Sequence, residues 1–273
     1  MSQQEHTFSQ NKEFVKYLID NKEYSDALYT IDKSVNQSLN PQQVDTLIYF
    51  KGLIFHKLKQ FDSSFFYLSK IPYNSGWYYE ASYYNVLNKT LLGDYDFALK
   101  LTEQIRYDTL LAHHPLKIFE EASLALLQRD YKHFDELLTK MDTVYFPIQI
   151  EQNELIKRRK ELENRRKKYP AVAGTLSTLV PGLGKVYAGS VGQGIAAFIM
   201  VGMLGGITAE TYYRSGPKNP EFIIMGSFFT VFYIGNIYGS VFSVKISNDK
   251  YNGEVNKILL FNMRIPVSRI FNY

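Results

Sequence analysis

The sequence predicts an all-α protein in two parts: an N-terminal helical solenoid, and a C-terminal two-helix transmembrane hairpin preceded by a re-entrant or interfacial segment. Three observations predict it. A short aromatic-centred string recurs four times in residues 1–150. Two long uncharged runs, 191–209 and 222–244, stand close together later in the chain. A basic cluster lies between the repeats and those runs. Charge follows the same division: residues 1–150 carry 15 Lys and Arg against 19 Asp and Glu, and residues 151–273 carry 16 against 8. The expected boundaries are 1–150 for about four degenerate repeats and 151–170 for a basic helical connector. A membrane domain follows at 171–250, with spans at about 191–210 and 222–244, and then an amphipathic tail at 251–273.

The recurring strings are NKEYSDAL (21–28), KQFDSSFF (59–66), GDYDFALK (93–100) and RDYKHFDE (129–136). Their aromatics, Tyr24, Phe61, Tyr95 and Tyr131, are spaced by 37, 34 and 36 residues. Three residues further on come Ala27, Ser64, Ala98 and Phe134. A small side chain there lets the second helix of a pair approach the first, and Phe134 departs from that, which marks the last unit as distorted or capping. Leu28, Ile31, Phe65, Leu68 and Leu99 continue the apolar stripe of an amphipathic helix. Gly52 and Phe55 supply a small residue and an aromatic in the preceding helix, and Gly93 opens the third string. Residues 10–142 resemble about four tetratricopeptide repeats, whose period is about 34 residues.

That resemblance implies a curved surface that holds a protein or peptide. Trp77, Tyr78, Tyr79, Tyr83 and Tyr84 are the candidate contacts; helix-on-helix packing is the competing role for each. The five histidines all precede residue 134, and the adjacent His113 and His114 cannot share a helix face. No metal-ligand spacing is seen. Without cysteine there is no disulfide framework, thiolate metal site or thiol nucleophile.

Residues 151–168, EQNELIKRRKELENRRKK, are expected to continue as a polar helix. Eight of the last twelve are basic. Their place directly before an uncharged stretch suits a cytoplasmic membrane flank against anionic headgroups rather than a nucleic-acid contact.

Beyond Lys168, Lys185 is the only charge before Glu210. The two uncharged runs have 19 and 23 residues. At about 1.5 Å per residue each reaches across a hydrocarbon core of about 30 Å. ETYYRSGPKNPE (210–221) reads as a turn with interfacial aromatics. Gly202 and Gly206 on the first run, and Gly235 and Gly239 on the second, are spaced for close helix approach or for a homo-oligomer. Asn236 among them is expected to hydrogen-bond across the pair. In the tail, Pro266 is expected to break the helix, leaving a segment that lies on the membrane or docks back on the repeats.

LVPGLGKVYAGSVGQG (179–194) superficially suggests a phosphate-binding loop. The Walker spacing requires glycine where Leu179 stands and Ser or Thr where Val186 stands, so that reading fails. The stretch carries P-G-x-G-x-x-Y-x-G, with Pro181, Gly182, Gly184, Tyr187 and Gly189. It resembles a membrane-hairpin domain joined to tetratricopeptide-like repeats in bacterial, Bacteroidota-like proteins. The resemblance implies an architecture rather than an activity. Residues 171–184 are too short to span, so they enter as a half-helix broken at Pro181–Gly182 and packed on the hairpin. Lys185 and Tyr187 would reach the headgroup level.

No nucleophile–base pair, metal set or cofactor loop emerges, so neither an enzyme nor a cofactor is expected. The reading is a membrane-anchored scaffold or adaptor binding a protein or peptide, within an envelope assembly or export complex. An oligomeric pore or transport element regulated by the repeats is the alternative. The expected partners are that ligand and membrane lipid, not nucleic acid. The resemblance implies a bacterial inner membrane, and the charge bias predicts cytoplasmic repeats. MSQQEHTFSQNKEF has no basic or apolar leader region, although its polar start also suits a processed secreted chain with periplasmic repeats.

Overall fold

A computed structural model describes residues 3–35, 39–106, 114–142 and 145–271. Their regular structure is entirely helical. The chain divides into two compact units, residues 1–161 with 257–273, and residues 162–256.

The first unit begins with four helix pairs: α1 (Gln3–Asp20) with α2 (Tyr24–Val35), α3 (Pro41–Lys57) with α4 (Phe61–Leu68), α5 (Tyr78–Leu91) with α6 (Tyr95–Gln104), and α7 (His114–Gln128) with α8 (Tyr131–Leu138). Each helix packs against the next in sequence, and α3 also touches α1 and α5. Local chemistry sets the boundaries. Asn40 caps α3 in a reciprocal pair with Gln43, and Pro41 occupies the first turn, where a missing N–H is harmless. Asp94 and Asp130 accept from the backbone N–H of Phe97 and His133 at 3.3 and 3.0 Å, starting α6 and α8.

All four pairs turn in the same way. Lys22, Lys59, Gly93 and Arg129 have φ of 64°, 60°, 82° and 63°. In each turn the following residue donates its N–H five residues back, from Glu23 to Leu18, Gln60 to Phe55, Asp94 to Lys89, and Asp130 to Ala125. This left-handed cap satisfies the carbonyls at the helix end and reverses the chain. Only the third turn uses glycine, the residue that accepts positive φ without strain.

The first unit's core is bulky: Tyr49, Phe50, Leu53, Phe119 and Phe134 are essentially inaccessible. A buried polar relay crosses α3, α4 and α5. His56 Nδ1 lies 2.6 Å from Asn88 Oδ1, Asn88 Nδ2 donates to Ser64 Oγ, and Ser64 Oγ donates to the carbonyl of Gly52.

The remaining elements are α9 (Gln149–Asn164), α10 (Pro170–Leu179), α11 (Leu183–Ala188), α12 (Val191–Ser215) and α13 (Pro220–Ile270). Two expectations are corrected. The connector helix stops at Asn164 instead of running through the basic cluster. Tyr169 precedes Pro170 and is held extended, with φ −106° and ψ 125°. Pro266 does not interrupt the last helix, which continues to Ile270. It removes one hydrogen bond close to the helix end, where few backbone bonds remain to be lost. Burial of Leu259, Met263 and Val267 at 0% exposure compensates locally. Of the two placements open to the tail, the structure has docking on the repeats: Phe271 lies 5.6 Å from Tyr83, and Arg269 clasps the buried Glu151 with bonds of 2.8 and 3.2 Å.

In the second unit, α10, α11 and α12 pack in succession. Among the described residues two helices are long and apolar enough to cross a membrane, α12 and α13, and almost nothing in their most apolar stretches is buried.

Candidate functional site

Tyr24, Phe61, Tyr95 and Tyr131 are the first residues of α2, α4, α6 and α8. Ala27, Ser64, Ala98 and Phe134 are all fully buried, so the fourth unit fills with a ring the place the others keep small. At Gly52 a Cβ would press on the Leu68 side chain at 2.5 Å, so this glycine admits α4. Gly93 meets open space, and its role is the positive φ of the turn.

The candidate partner contacts divide. Tyr83 and Tyr84, 1% and 6% exposed, are core residues and are not available to a partner. Their position on α5 turns both rings inward, which adjacency in sequence could not reveal. Trp77 stacks on Tyr49 at 4.4 Å and its indole N–H donates to Thr46 at 3.0 Å, so it is chiefly a packing residue. Tyr78 and Tyr79 remain half-exposed. Tyr78 lies edge-on to Tyr73 at 5.1 Å, and the Arg106 guanidinium covers Tyr73 at 4.0 Å. Tyr78 also lines a recess of about 180 Å³ with Phe65, Ile71, Asn85, Leu101 and Ile105. Asn85 is 7% exposed, and its Oδ1 has no hydrogen-bond partner among the described residues. His113 lies outside the described residues, and His114 opens α7.

Three buried or half-buried titratable groups in this unit are shifted by their surroundings. Glu120 is 1% exposed with neither carboxyl oxygen bonded among the described residues, and burial pushes its carboxyl well above the usual range. Burial raises Glu80 to about 7, opposed by the Tyr49 hydroxyl and Lys16. Burial lowers His56, with Asn88 opposing and Arg264 reinforcing. Among the described residues no group of three or more His, Asp and Glu is placed to hold a metal ion.

The basic cluster is partly used inside its own units. Arg158 pairs with Glu154 and Glu161. Arg159 binds Asp135 at 2.9 Å and covers Tyr131 at 4.6 Å. Arg165 stacks on Tyr251 at 3.7 Å and donates to Asn248 at 3.0 Å. Lys160, Arg166 and Lys167 stay exposed.

The turn motif draws three helices together. Gly182 has φ 86°, and a Cβ there would strike the Gly194 carbonyl. A Cβ on Gly184 would strike the Ala173 carbonyl of α10 and lie 2.6 Å from Ser177 Oγ. Pro181 precedes this crossing and ends the α10 trajectory. Gly189 has φ 99° and closes α11. The Tyr187 hydroxyl accepts from the Tyr169 N–H at 3.2 Å, and Lys168 Nζ donates to the Ala188 carbonyl at 2.9 Å.

A buried chain of hydrogen bonds carries this packing to α13. The Gly184 N–H donates to Ser177 Oγ at 3.0 Å, Ser177 Oγ to Ser240 Oγ at 2.7 Å, and Ser240 Oγ to the Asn236 carbonyl at 2.8 Å. Sequence reasoning missed Ser177 and Ser240. Their only signal was a hydroxyl inside each of two apolar stretches.

The expected glycine contacts are corrected. Among the described residues nothing lies within 4 Å of a Cβ built on Gly202, Gly206 or Gly235. Gly205 instead meets Phe229 at 3.1 Å, and Gly239 meets Lys185 at 3.4 Å. The phenyl ring props α12 away from α13, so the small-residue faces do not interlock within one chain. Asn236 does not bond across the pair. It is 4% exposed, and both its amide nitrogen and oxygen lack a hydrogen-bond partner among the described residues. It lines a cleft of about 560 Å³ whose walls include Lys185, Gln193, Met200, Phe232 and Gly235. Compared with known protein families, curated proteins and solved structures, the chain matches none.

Proposed function

We propose that the chain is a membrane-anchored scaffold whose tetratricopeptide-like repeats hold a protein or peptide at the bilayer. The observation that carries this reading is the inverted polarity of the second unit. Phe198, Ile199, Met203, Ile224, Phe228 and Phe242 are more than half exposed, while Ser177, Ser240 and Asn236 are buried. That arrangement suits a hydrocarbon solvent, and an apolar surface of this extent in water would drive association. The identical turns of the four helix pairs support a repeat array, which builds a continuous binding surface.

The peptide reading centres on the recess beside Tyr78. An extended peptide offers backbone N–H groups to the unpartnered Asn85 Oδ1 and apolar side chains to Phe65 and Ile105. The exposed Arg166 and Lys167 would face anionic headgroups on the cytoplasmic side of an inner membrane.

Two measurements test the proposal. Asn74→Cys in a repeat loop and Ser215→Cys in the hairpin turn, made separately in this cysteine-free chain, are exposed to an impermeant maleimide in spheroplasts. Labelling of Ser215→Cys alone is expected; labelling of Asn74→Cys alone reverses the orientation, and labelling of both removes the two-span reading. Crosslinking in native membranes should then trap a partner that Asn85→Ala and Tyr78→Ala release. Partner capture unchanged in both variants would refute the recess as the binding site.

A further inference from the structure

We infer that the cleft between α12 and α13 is a binding site for one anionic glycerophospholipid with a hydroxylated head, of the phosphatidylglycerol type. The inference rests on the membrane reading above and adds a ligand to it. Three features of the cleft define the occupant.

The first is Asn236. An amide that is buried with both polar ends unused bears the desolvation penalty of each group with no bond to offset it. An apolar residue of similar volume would avoid that penalty. A ligand that approaches Asn236 with an acceptor for Nδ2 and a donor for Oδ1 removes it. A glycerol-based head supplies both, an ester or phosphate oxygen and a hydroxyl.

The second is Lys185, the only charged residue between Lys168 and Glu210. It is half-buried, lines the same cleft, and its Nζ lies 3.7 Å from the Cβ position of Gly239. No ion pair is formed by Lys185 among the described residues. Gly239 is six residues before Lys245, about 9 Å along the helix at the usual rise. An ammonium at that depth recruits an anion strongly because little water competes there. The exposed flank cations Arg166 and Lys167 offer only screened, unspecific attraction.

The third is the wall. Met200, Phe232 and the neighbouring alanines make it apolar, and Gly235 leaves its floor open. A volume of about 560 Å³ falls within the range of pockets that enclose small-molecule ligands, roughly 300–1,000 Å³. An acyl chain fits this wall while the head occupies the Lys185 end. Gln193, exposed at the mouth, adds a further donor and acceptor.

The test is native mass spectrometry of the full chain released from nanodiscs of mixed phosphatidylglycerol and phosphatidylethanolamine. Wild type is expected to retain one phosphatidylglycerol in preference to the zwitterionic lipid. Lys185→Gln should reduce that retention by about tenfold, corresponding to about 1.4 kcal/mol. Asn236→Leu should reduce it similarly while melting no lower than wild type, because it removes an orphaned amide. Lys100→Gln, on the exposed face of α6, should leave it unchanged. Equal retention of the two lipids, or no effect of Lys185→Gln, overturns the inference. Loss of the lipid to excess inorganic phosphate also overturns it, since the site would then read a free anion. A lipid-free dimer that Asn236→Leu converts to monomer would assign the cleft to a second copy and overturn it too. Failure of the membrane reading looks different: the chain would stay behind when vesicles are floated without detergent.

Discussion

The repeat unit and the hairpin unit bury opposite kinds of residue. In the first, Tyr49, Phe50, Phe119 and Phe134 form the interior. In the second, the close contacts are made by Gly182, Gly184 and Gly194, with Ala173, Ser177 and Ser240 around them, and the large apolar side chains point outward. Burying a large apolar side chain out of water contributes about 1.5–3 kcal/mol, so bulk is what stabilises the first unit. On the membrane reading that gain vanishes for helices already in hydrocarbon. Close backbone approach and interhelical hydrogen bonds then have to supply the specificity. On that reading one chain carries two solutions to packing helices, each matched to its solvent.

The sharpest break of this comparison is at Gly184. Gly184→Val should unfold the turn motif, at a cost of roughly 3 kcal/mol or more, because its side chain would enter the Ala173 carbonyl. Gly202→Val, which faces open space, should change thermal stability in detergent little. If both variants melt alike, small residues do not organise this unit.

Next in size is the clasp between Arg269 and Glu151. Glu151 is 3% exposed, so Arg269→Ala leaves a buried carboxylate unpaired. A loss of roughly 3 kcal/mol is expected, read as faster hydrogen exchange across α9 and the end of α13.

A pH series tests the bulky core. Glu120 holds its proton more tightly in the folded chain than its ordinary 4.5, and Glu80 does so up to about 7. The unfolded chain therefore carries fewer protons above about pH 4.5, and these groups' stabilisation declines as pH rises through their folded values. His56 has the opposite sign: its folded value lies below 6.5, so its contribution is lost as pH falls below that value. Glu120→Gln should make the alkaline decline in denaturation midpoint shallower, leaving the share of Glu80 and the His56 limb in place. An unchanged alkaline slope would show that Glu120 does not control it.

Smaller effects refine the contrast. Ser177→Ala should cost about 1 kcal/mol, and adding Ser240→Ala should cost less than a second full increment because the hydroxyls share one chain. Lys59→Gly should stabilise the second repeat by roughly 0.5–1 kcal/mol, since glycine relieves the positive φ at that turn. Chemical denaturation followed through Trp77 reads this change. No gain would mean that the turn is relaxed with lysine.

Several features were legible from residue order because they depend on local periodicity and charge. The spacing of Tyr24, Phe61, Tyr95 and Tyr131 marked the second helix of each pair, and the two uncharged runs marked α12 and α13. The shared turn was hidden because three of its four positive-φ positions are Lys22, Lys59 and Arg129. Such residues enter that conformation only when both flanking helices enforce it. Pro266 misled for a related reason, since its local penalty is offset by burial of Leu259, Met263 and Val267.

The sequence by itself determined the all-helical class, the division of charge and the lengths of the two apolar helices, because each is a property of neighbouring residues. Only the tertiary structure decided that Tyr83 and Tyr84 are core, that Gly202 and Gly206 stay open, and that Ser177 meets Ser240. It also placed Lys185 in one cleft with the unpartnered Asn236. Those outcomes depend on which faces of separate helices meet, and no spacing along the chain specifies that.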